Sequence, residues 1–153
     1  MSIKVTGQGV GAVSKFLDQM EKQKLSVGWF EGMKYTDKTP VAYVAATQEY
    51  GSVAKNIPPR PFMRPAMYNN QNQWMGLFKK LADDIISGSL SAEGALDIIG
   101  STVTEDIKEA ITQVKEPELK ESTIASRVRR GLNTTDLLRA TGTMISSVTW
   151  VVE

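Results

Sequence analysis

The 153-residue chain contains neither cysteine nor histidine. Without cysteine there is no disulfide framework, no thiol nucleophile and no thiolate metal site. Without histidine, the commonest general base and the commonest metal ligand are both missing. We therefore expect a protein that is not an enzyme, with no catalytic site, no metal and no cofactor. An enzymatic alternative would have to rely on carboxylates or lysines.

An excess of charge of one sign and long apolar runs are lacking too. The formal net charge is +1, which argues against a protein that binds nucleic acid over its whole surface. No apolar run approaches the roughly 18 residues that span a bilayer, and residues 1–13 lack the layout of a secretory signal. We expect no membrane contact, and synthesis in the cytoplasm.

Hydrophobic periodicity in the first third predicts two helices around one strand. Apolar residues recur at helical spacing over 9–24 and alternate with small residues over 25–30, which indicates a helix followed by a strand. A short helix is expected between Pro40 and Gly51, because proline suits the first helical position and glycine the position after the last.

The middle of the chain reads as two long amphipathic helices. The first follows a seam from Met67 to Ile85, and the second covers about 91–114. Gly94 and Gly100 weaken the second helix, since a glycine in a helix interior costs about 1 kcal/mol relative to alanine.

The β-branched residues over 144–152 predict a terminal strand that returns to pair with the strand near 25–30. The predicted fold is therefore α+β. A small antiparallel sheet that includes both strands packs with the two long helices and shorter ones. We expect one domain over 1–153, with a proline-rich arm at about 52–66.

The segment 52–66 holds four of the six prolines, which makes it stiff and close to polyproline II geometry. A stiff segment loses little entropy on docking, which suits a binding arm. Such an arm carries basic and apolar side chains: Ile57, Arg60, Phe62, Met63 and Arg64. Alternatively, the segment is a rigid internal connector whose Phe62 fills the core. The spacing of the residues leaves both interpretations open.

A second basic cluster, Arg127, Arg129 and Arg130, lies in the last third of the chain. Such a cluster is either a solvated face or a contact with phosphate or with an acidic surface of a neighbouring subunit. The sequence alone leaves these alternatives open.

The chain resembles the tail-completion (neck) proteins of lambdoid and Mu-like tailed phages. In that family a helix ends in a Glu-aromatic-Gly turn, here Glu49, Tyr50 and Gly51. A Pro-x-Arg-Pro-Phe-x-Arg-Pro-Ala block then leads into a long helix, and its counterparts here are Pro59, Arg60, Pro61, Phe62, Arg64, Pro65 and Ala66. The stretches Leu119–Ile124 and Leu137–Gly142 resemble the family's C-terminal elements.

The resemblance implies a structural protein of the virion that completes the head-proximal end of the tail or the neck and helps to join head to tail. It implies a homo-oligomeric ring, expected to be a hexamer, around the DNA channel. The ring would touch neighbouring connector, tail-terminator or tail-tube proteins. The protein would be made in the cytoplasm of the host bacterium and reside in the virion.

Against this background the segment 52–66 is expected to contact a sibling subunit or an adjoining ring. Phe62 would be its apolar anchor, Arg60 and Arg64 would pair with carboxylates, and Ile57 and Met63 would add apolar contact. Arg127, Arg129 and Arg130 are expected to face the passing DNA without sequence specificity. The alternative function is a non-enzymatic nucleic-acid-binding module.

Overall fold

The computed structural model describes residues 7–153. Within this range the helices are α1 (Gly7–Glu21), α2 (Val41–Tyr50), α3 (Met63–Ser87), α4 (Ala92–Gln113), α5 (Glu121–Arg129) and α6 (Thr143–Ser146). Two strands, β1 (Leu25–Gly28) and β2 (Thr149–Val152), form an antiparallel pair. The predicted α+β class is confirmed. No helix within 7–153 is both long enough and apolar enough to cross a membrane.

The sheet pairs the two predicted regions, but its second strand is shorter than expected. Leu25 lies opposite Val152, and Gly28 lies opposite Thr149. The prediction of a strand from residue 144 was wrong for the first part of that range, where the chain forms α6 instead. The hydroxyl of Ser147 donates to the Thr143 carbonyl at 2.6 Å, and the N–H groups of Ser146 and Ser147 donate to the Gly142 and Thr143 carbonyls, so these groups bond within a helical turn. Since β1 has only four residues, a longer β2 would find no partner.

A glycine and a serine set the end of α3 and the start of α4. Gly88 ends α3 in the left-handed conformation, at φ 81°, and its N–H bonds the Asp84 and Ile85 carbonyls. Ser91 is the N-cap of α4, because its Oγ accepts a hydrogen bond from the Gly94 N–H at 3.0 Å. The turn between them lets α3 and α4 pack along each other.

Gly100, predicted to weaken α4, is what lets the sheet pack on that helix. A Cβ atom at this position would lie 2.4 Å from Cδ1 of Trp150 in β2, which is closer than real side chains approach. The Trp150 indole N–H also donates to Asp97 Oδ1 on α4, at 3.0 Å. The conformational cost of the glycine is therefore offset by close contact between β2 and α4.

The buried side chains form two clusters. One lies where α3 and α4 run together near the turn that joins them: Leu81, Ile85, Ala95, Leu96 and Ile99. The other, which we call the first core, gathers residues from α2, the start of α3, the end of α4 and the C-terminal region: Val41, Ala45, Phe62, Ala66, Ile107, Ile111, Leu138, Met144 and Val148. The proline-rich segment enters the first core.

Candidate assembly surface around the proline-rich segment

The carboxylate of Glu49, on the last turn of α2, caps the first turn of α3. Its Oε2 accepts hydrogen bonds from the backbone N–H groups of Phe62, at 2.7 Å, and Met63, at 2.9 Å. Its Oε1 accepts from the backbone N–H of Arg64 at 3.2 Å. The first N–H groups of a helix have no hydrogen-bond partner within the helix. A negative charge near this end also interacts favourably with the helix dipole. Glu49 therefore joins α2 to α3.

The side chain of Arg64 closes this contact from the solvent side. Its Nε donates to Glu49 Oε1 at 2.7 Å, and its Nη2 donates to the Glu49 carbonyl at 3.0 Å. The guanidinium also lies over the ring of Tyr50, 5.1 Å from its centroid. Although it makes all these contacts, the Arg64 side chain remains 58% exposed.

The charge state of Glu49 follows from this geometry. Its burial acts to raise the pKa of the carboxyl, since only 4% of the residue is exposed. The Arg64 guanidinium and the three backbone N–H donors outweigh this effect, so the pKa of Glu49 lies below its ordinary value. Glu49 is therefore ionised at neutral pH.

Arg60 is buried, with 5% of its surface exposed, and its guanidinium is engaged within the chain. Its Nε donates to the Pro117 carbonyl at 2.8 Å, and its Nη2 donates to the Glu118 carbonyl at 2.9 Å. Its backbone N–H donates to the Gln48 carbonyl at 2.7 Å. Burial lowers the pKa of Arg60 from its ordinary value. The residue ties the connection between α4 and α5 to the end of α2.

Phe62 fills the first core. It is 1% exposed, and its ring meets the ring of Trp29 edge-on, with the centroids 5.8 Å apart. The Trp29 indole N–H in turn donates to the Met144 carbonyl of α6 at 2.8 Å. We call Glu49, Arg60, Phe62 and Arg64 together the lock, because they fasten the proline-rich segment to the rest of the chain.

The backbone of the segment turns back towards α2 at Gly51. Gly51 has φ 75°, and a Cβ atom there would lie 2.8 Å from the Pro59 nitrogen and 2.9 Å from the Ile57 carbonyl oxygen. Ser52 and Ile57 exchange backbone hydrogen bonds of 2.8 and 2.9 Å, which close a small hairpin. The predicted projecting arm at 52–66 is thus replaced by this hairpin, a short extended stretch and the first turn of α3.

The five predicted interface residues differ in how deeply the structure buries them. Phe62 and Arg60 are buried within their own chain, so their predicted roles as apolar anchor and ion-pair partner for a neighbour were wrong. The alternative of an internal connector describes them. Ile57 and Met63 are half-buried, and Arg64 is exposed but paired with Glu49. For these three residues, contact with a partner stays a prediction.

The three arginines predicted to face DNA differ in how far they are exposed to solvent. Arg127 is half-buried, and its guanidinium donates to the carbonyls of Asp136, at 2.7 Å, and Leu137, at 2.8 Å. Burial, together with the nearby charge of Arg60, lowers the pKa of Arg127, while Asp136 acts in the opposite sense. Arg127 therefore fastens the loop that contains Asn133, Asp136 and Leu137, and its contact with DNA stays a prediction.

Arg129 and Arg130 are exposed at the end of α5. The structure leaves their contact with DNA a prediction.

The sequence reasoning missed an exposed face of α3 beside the lock. Met67, predicted to lie in the buried seam, is 54% exposed, while its neighbour Ala66 takes the inward position. Further along the same face, Tyr68 is 77% exposed and Met75 55%. Tyr50, 69% exposed, joins this face through Arg64. We call this surface the α3 patch; it comprises Tyr50, Arg64, Met67, Tyr68 and Met75.

One signal for the α3 patch was present in the sequence. Met67, Tyr68 and Met75 recur at helical spacing, and no carboxylate interrupts α3 before Asp83. The same spacing also fits a buried seam, which is why the two faces were confused.

Among residues 7–153, no group of three or more carboxylates is arranged to hold a metal ion. In comparisons with known proteins, no family model, no curated protein and no solved structure matches the chain. The function is therefore inferred from the residues of the chain itself.

Proposed function

We propose that the chain is a structural protein of a tailed-phage virion. It completes the head-proximal end of the tail or the neck and helps to join head to tail. It does so as a homo-oligomeric ring, expected to be hexameric, around the channel for the genomic DNA. Its neighbours are connector, tail-terminator or tail-tube proteins, and it performs no catalysis.

One observation carries the proposal: the two sequence motifs that resemble the phage family, the Glu-aromatic-Gly turn and the proline block, contact each other in the folded chain. Glu49, from the Glu-aromatic-Gly turn, accepts hydrogen bonds from Phe62 and Arg64 of the proline block. Gly51, from the same turn, lies against Pro59 of that block. Two separated pieces of the motif therefore depend on each other for one local structure. This supports the resemblance more strongly than independent matches at the same positions would.

The α3 patch supports an assembly role for the chain. Aromatic residues, methionine and arginine are the side chains enriched in the cores of protein interfaces. Exposed apolar residues grouped on one helix face mark an interaction site more often than scattered ones do. The patch lies directly beside the lock, which holds the first turn of α3 in place.

Electron microscopy of phage lysates tests the proposed function. When the gene is interrupted by a stop codon, we expect DNA-filled heads and separate tails that do not join, and joining should return when the protein is supplied from a plasmid. Normal tailed virions from the interrupted gene would contradict the proposal, as would the loss of heads themselves.

The second candidate, a nucleic-acid-binding module, rests on the exposed Arg129 and Arg130. It predicts that the purified protein binds duplex DNA with an affinity that falls steeply with salt. The double substitution Arg129→Ala, Arg130→Ala should then weaken binding to unrelated sequences equally. An absence of DNA binding at low salt would exclude this candidate.

A further inference from the structure

A groove lies beside the start of α3, between this helix and the end of α4. It has a volume of about 430 Å3. Its apolar lining comes from the proline block and α3 on one side and from the end of α4 on the other: Pro61, Phe62, Pro65, Ala66, Ala110 and Val114. Its charged lining is mostly acidic, with Asp106, Glu109 and Glu116 against one base, Lys115.

The groove and the α3 patch lie on opposite flanks of the same helix. The α3 residues in the groove are Pro65, Ala66, Asn69 and Asn70, whereas those of the patch are Arg64, Met67, Tyr68 and Met75. At about 100° per residue, the mean directions of the two sets differ by roughly 180°. Each copy of the chain therefore presents two different surfaces that face away from each other.

The charges of the two surfaces are complementary. Over 63–82, α3 carries Arg64, Lys79 and Lys80 and no carboxylate. Arg64 remains largely exposed while paired with Glu49, and Lys79 extends the row of Tyr68 and Met75 along the helix. A basic and aromatic surface thus has its counterpart in an apolar groove with an acidic rim.

We infer that the α3 patch of one copy docks in the acidic groove of a second copy of the same chain. The contact is heterologous, because each copy contributes a different surface. Successive head-to-tail contacts of this kind close into a ring when the rotation between copies allows it. The inference deepens the proposed function, because it names the surfaces through which the copies touch. Only the closure of the copies into a ring rests on the proposed function.

Two charge-changing variants test the inference. Tyr68→Glu places a carboxylate in the patch, and Glu109→Lys places a cation on the rim of the groove. Both side chains are exposed, so both variants should keep the wild-type melting temperature. By sedimentation velocity we expect the wild-type chain to assemble and each variant alone to remain a monomer.

Mixing the two variants gives the sharper test. Tyr68→Glu retains an intact groove, and Glu109→Lys retains an intact patch. A heterologous contact therefore predicts that the mixture forms a dimer of one copy of each variant. An isologous contact, in which both copies use the same surface, would not be restored by mixing.

Matched controls use sites outside both surfaces. Glu31→Lys makes the same charge change as Glu109→Lys in an exposed turn, and Val53→Glu alters a fully exposed apolar side chain in the hairpin. Both should assemble as the wild type does. The inference is overturned if either test variant assembles normally, if the mixture stays monomeric or if a control blocks assembly.

The failure of this inference is distinguishable from that of the proposed function. A wild-type chain that stays monomeric at high concentration overturns the inference. The count of joined particles in lysates remains the separate test of the proposed function.

Discussion

The lock and the α3 patch share the first turns of one helix, yet their side chains face in different directions. Phe62, just before α3 begins, is 1% exposed, whereas Tyr68, six positions later, is 77% exposed. Arg60 is 5% exposed and has its guanidinium bonded to the Pro117 and Glu118 carbonyls, whereas more than half of the Arg64 side chain remains in water. The most distinctive residues of the segment therefore build the fold, and less distinctive neighbours supply the exposed surface.

This difference separates two kinds of effect that a mutation in the region can have. A change in the lock removes core packing or leaves polar groups of the α3 terminus without partners, so it lowers the free energy of unfolding. Arg64 belongs to both, but a change at a patch residue outside the lock, such as Tyr68 or Met75, leaves the folded chain as stable as before and alters only what the chain can bind. The largest effects on stability are therefore expected in the lock, and the smallest in the patch.

Phe62→Ala should lower the free energy of unfolding by about 3–5 kcal/mol, because it leaves a cavity in the first core. Urea denaturation followed by circular dichroism measures the loss. A value near zero would mean that Phe62 does not fill the core and would restore its interpretation as an exposed anchor.

Glu49→Ala should lower the free energy of unfolding by about 2–3 kcal/mol, because three N–H groups of α3 lose their acceptor. The exposed Arg64 side chain limits the effect, since water solvates its charge once the partner is gone. Glu49→Gln keeps one acceptor oxygen and should lose about half as much. Equal stability of the three proteins would contradict the capping role of Glu49.

The stability should fall in acid through Glu49. Its pKa in the folded chain is below its ordinary value, so its contribution is fully present above the unfolded pKa of about 4.3. That contribution is lost as the pH falls through the lowered pKa, because protonation removes the charged acceptor. The urea midpoint of the wild-type chain should therefore fall more steeply with acid than that of Glu49→Gln. Parallel curves would show that Glu49 does not titrate differently in the fold.

Gly51→Ala should lower the free energy of unfolding by about 1–3 kcal/mol, since a side chain is strained at this positive φ and its Cβ would crowd Pro59. Gly131→Ala is a comparison variant, because Gly131 also has a positive φ, of 62°, but no atom lies within 4 Å of the added Cβ. We expect a larger loss at Gly51, from the crowding at Pro59 together with its ψ of −179°, which only glycine readily combines with a positive φ. Equal losses would contradict both sources of strain at Gly51.

Tyr68→Ala should change the free energy of unfolding by no more than about 0.5 kcal/mol, because the side chain lies on the surface. The expected result in sedimentation is weaker assembly at unchanged melting temperature. A large loss of stability would place Tyr68 in the core and remove the difference between patch and lock.

Local chemistry made much of the fold predictable. Pro40 and Gly51 bracket α2, and the serine and glycine signals at Gly88 and Ser91 separate α3 from α4. These signals act within a few residues of the chain, so a single sequence carries them. The antiparallel pairing of the two strand regions followed from their composition and from the return of the chain.

The long-range hydrogen bonds of the lock could not be predicted from such local signals. Arg60 donates to carbonyls 57 and 58 residues away, and backbone carbonyls leave no mark in a sequence. The face of α3 was misassigned because Met67 and Ala66 both fit a helical seam, and only the packing of the first core decides between them. The prolines predict a stiff segment, but stiffness does not tell whether a segment docks on its own chain or on another.

Amide hydrogen exchange at Phe62, Met63 and Arg64 in the isolated protein tests the central claim most directly. These three N–H groups donate to the Glu49 carboxylate and belong to the start of a helix, where N–H groups usually exchange rapidly. The lock predicts protection close to that of the core, and its loss in Glu49→Ala. Exchange at nearly unprotected rates in the wild-type chain would contradict the lock and would describe an arm that is free before assembly.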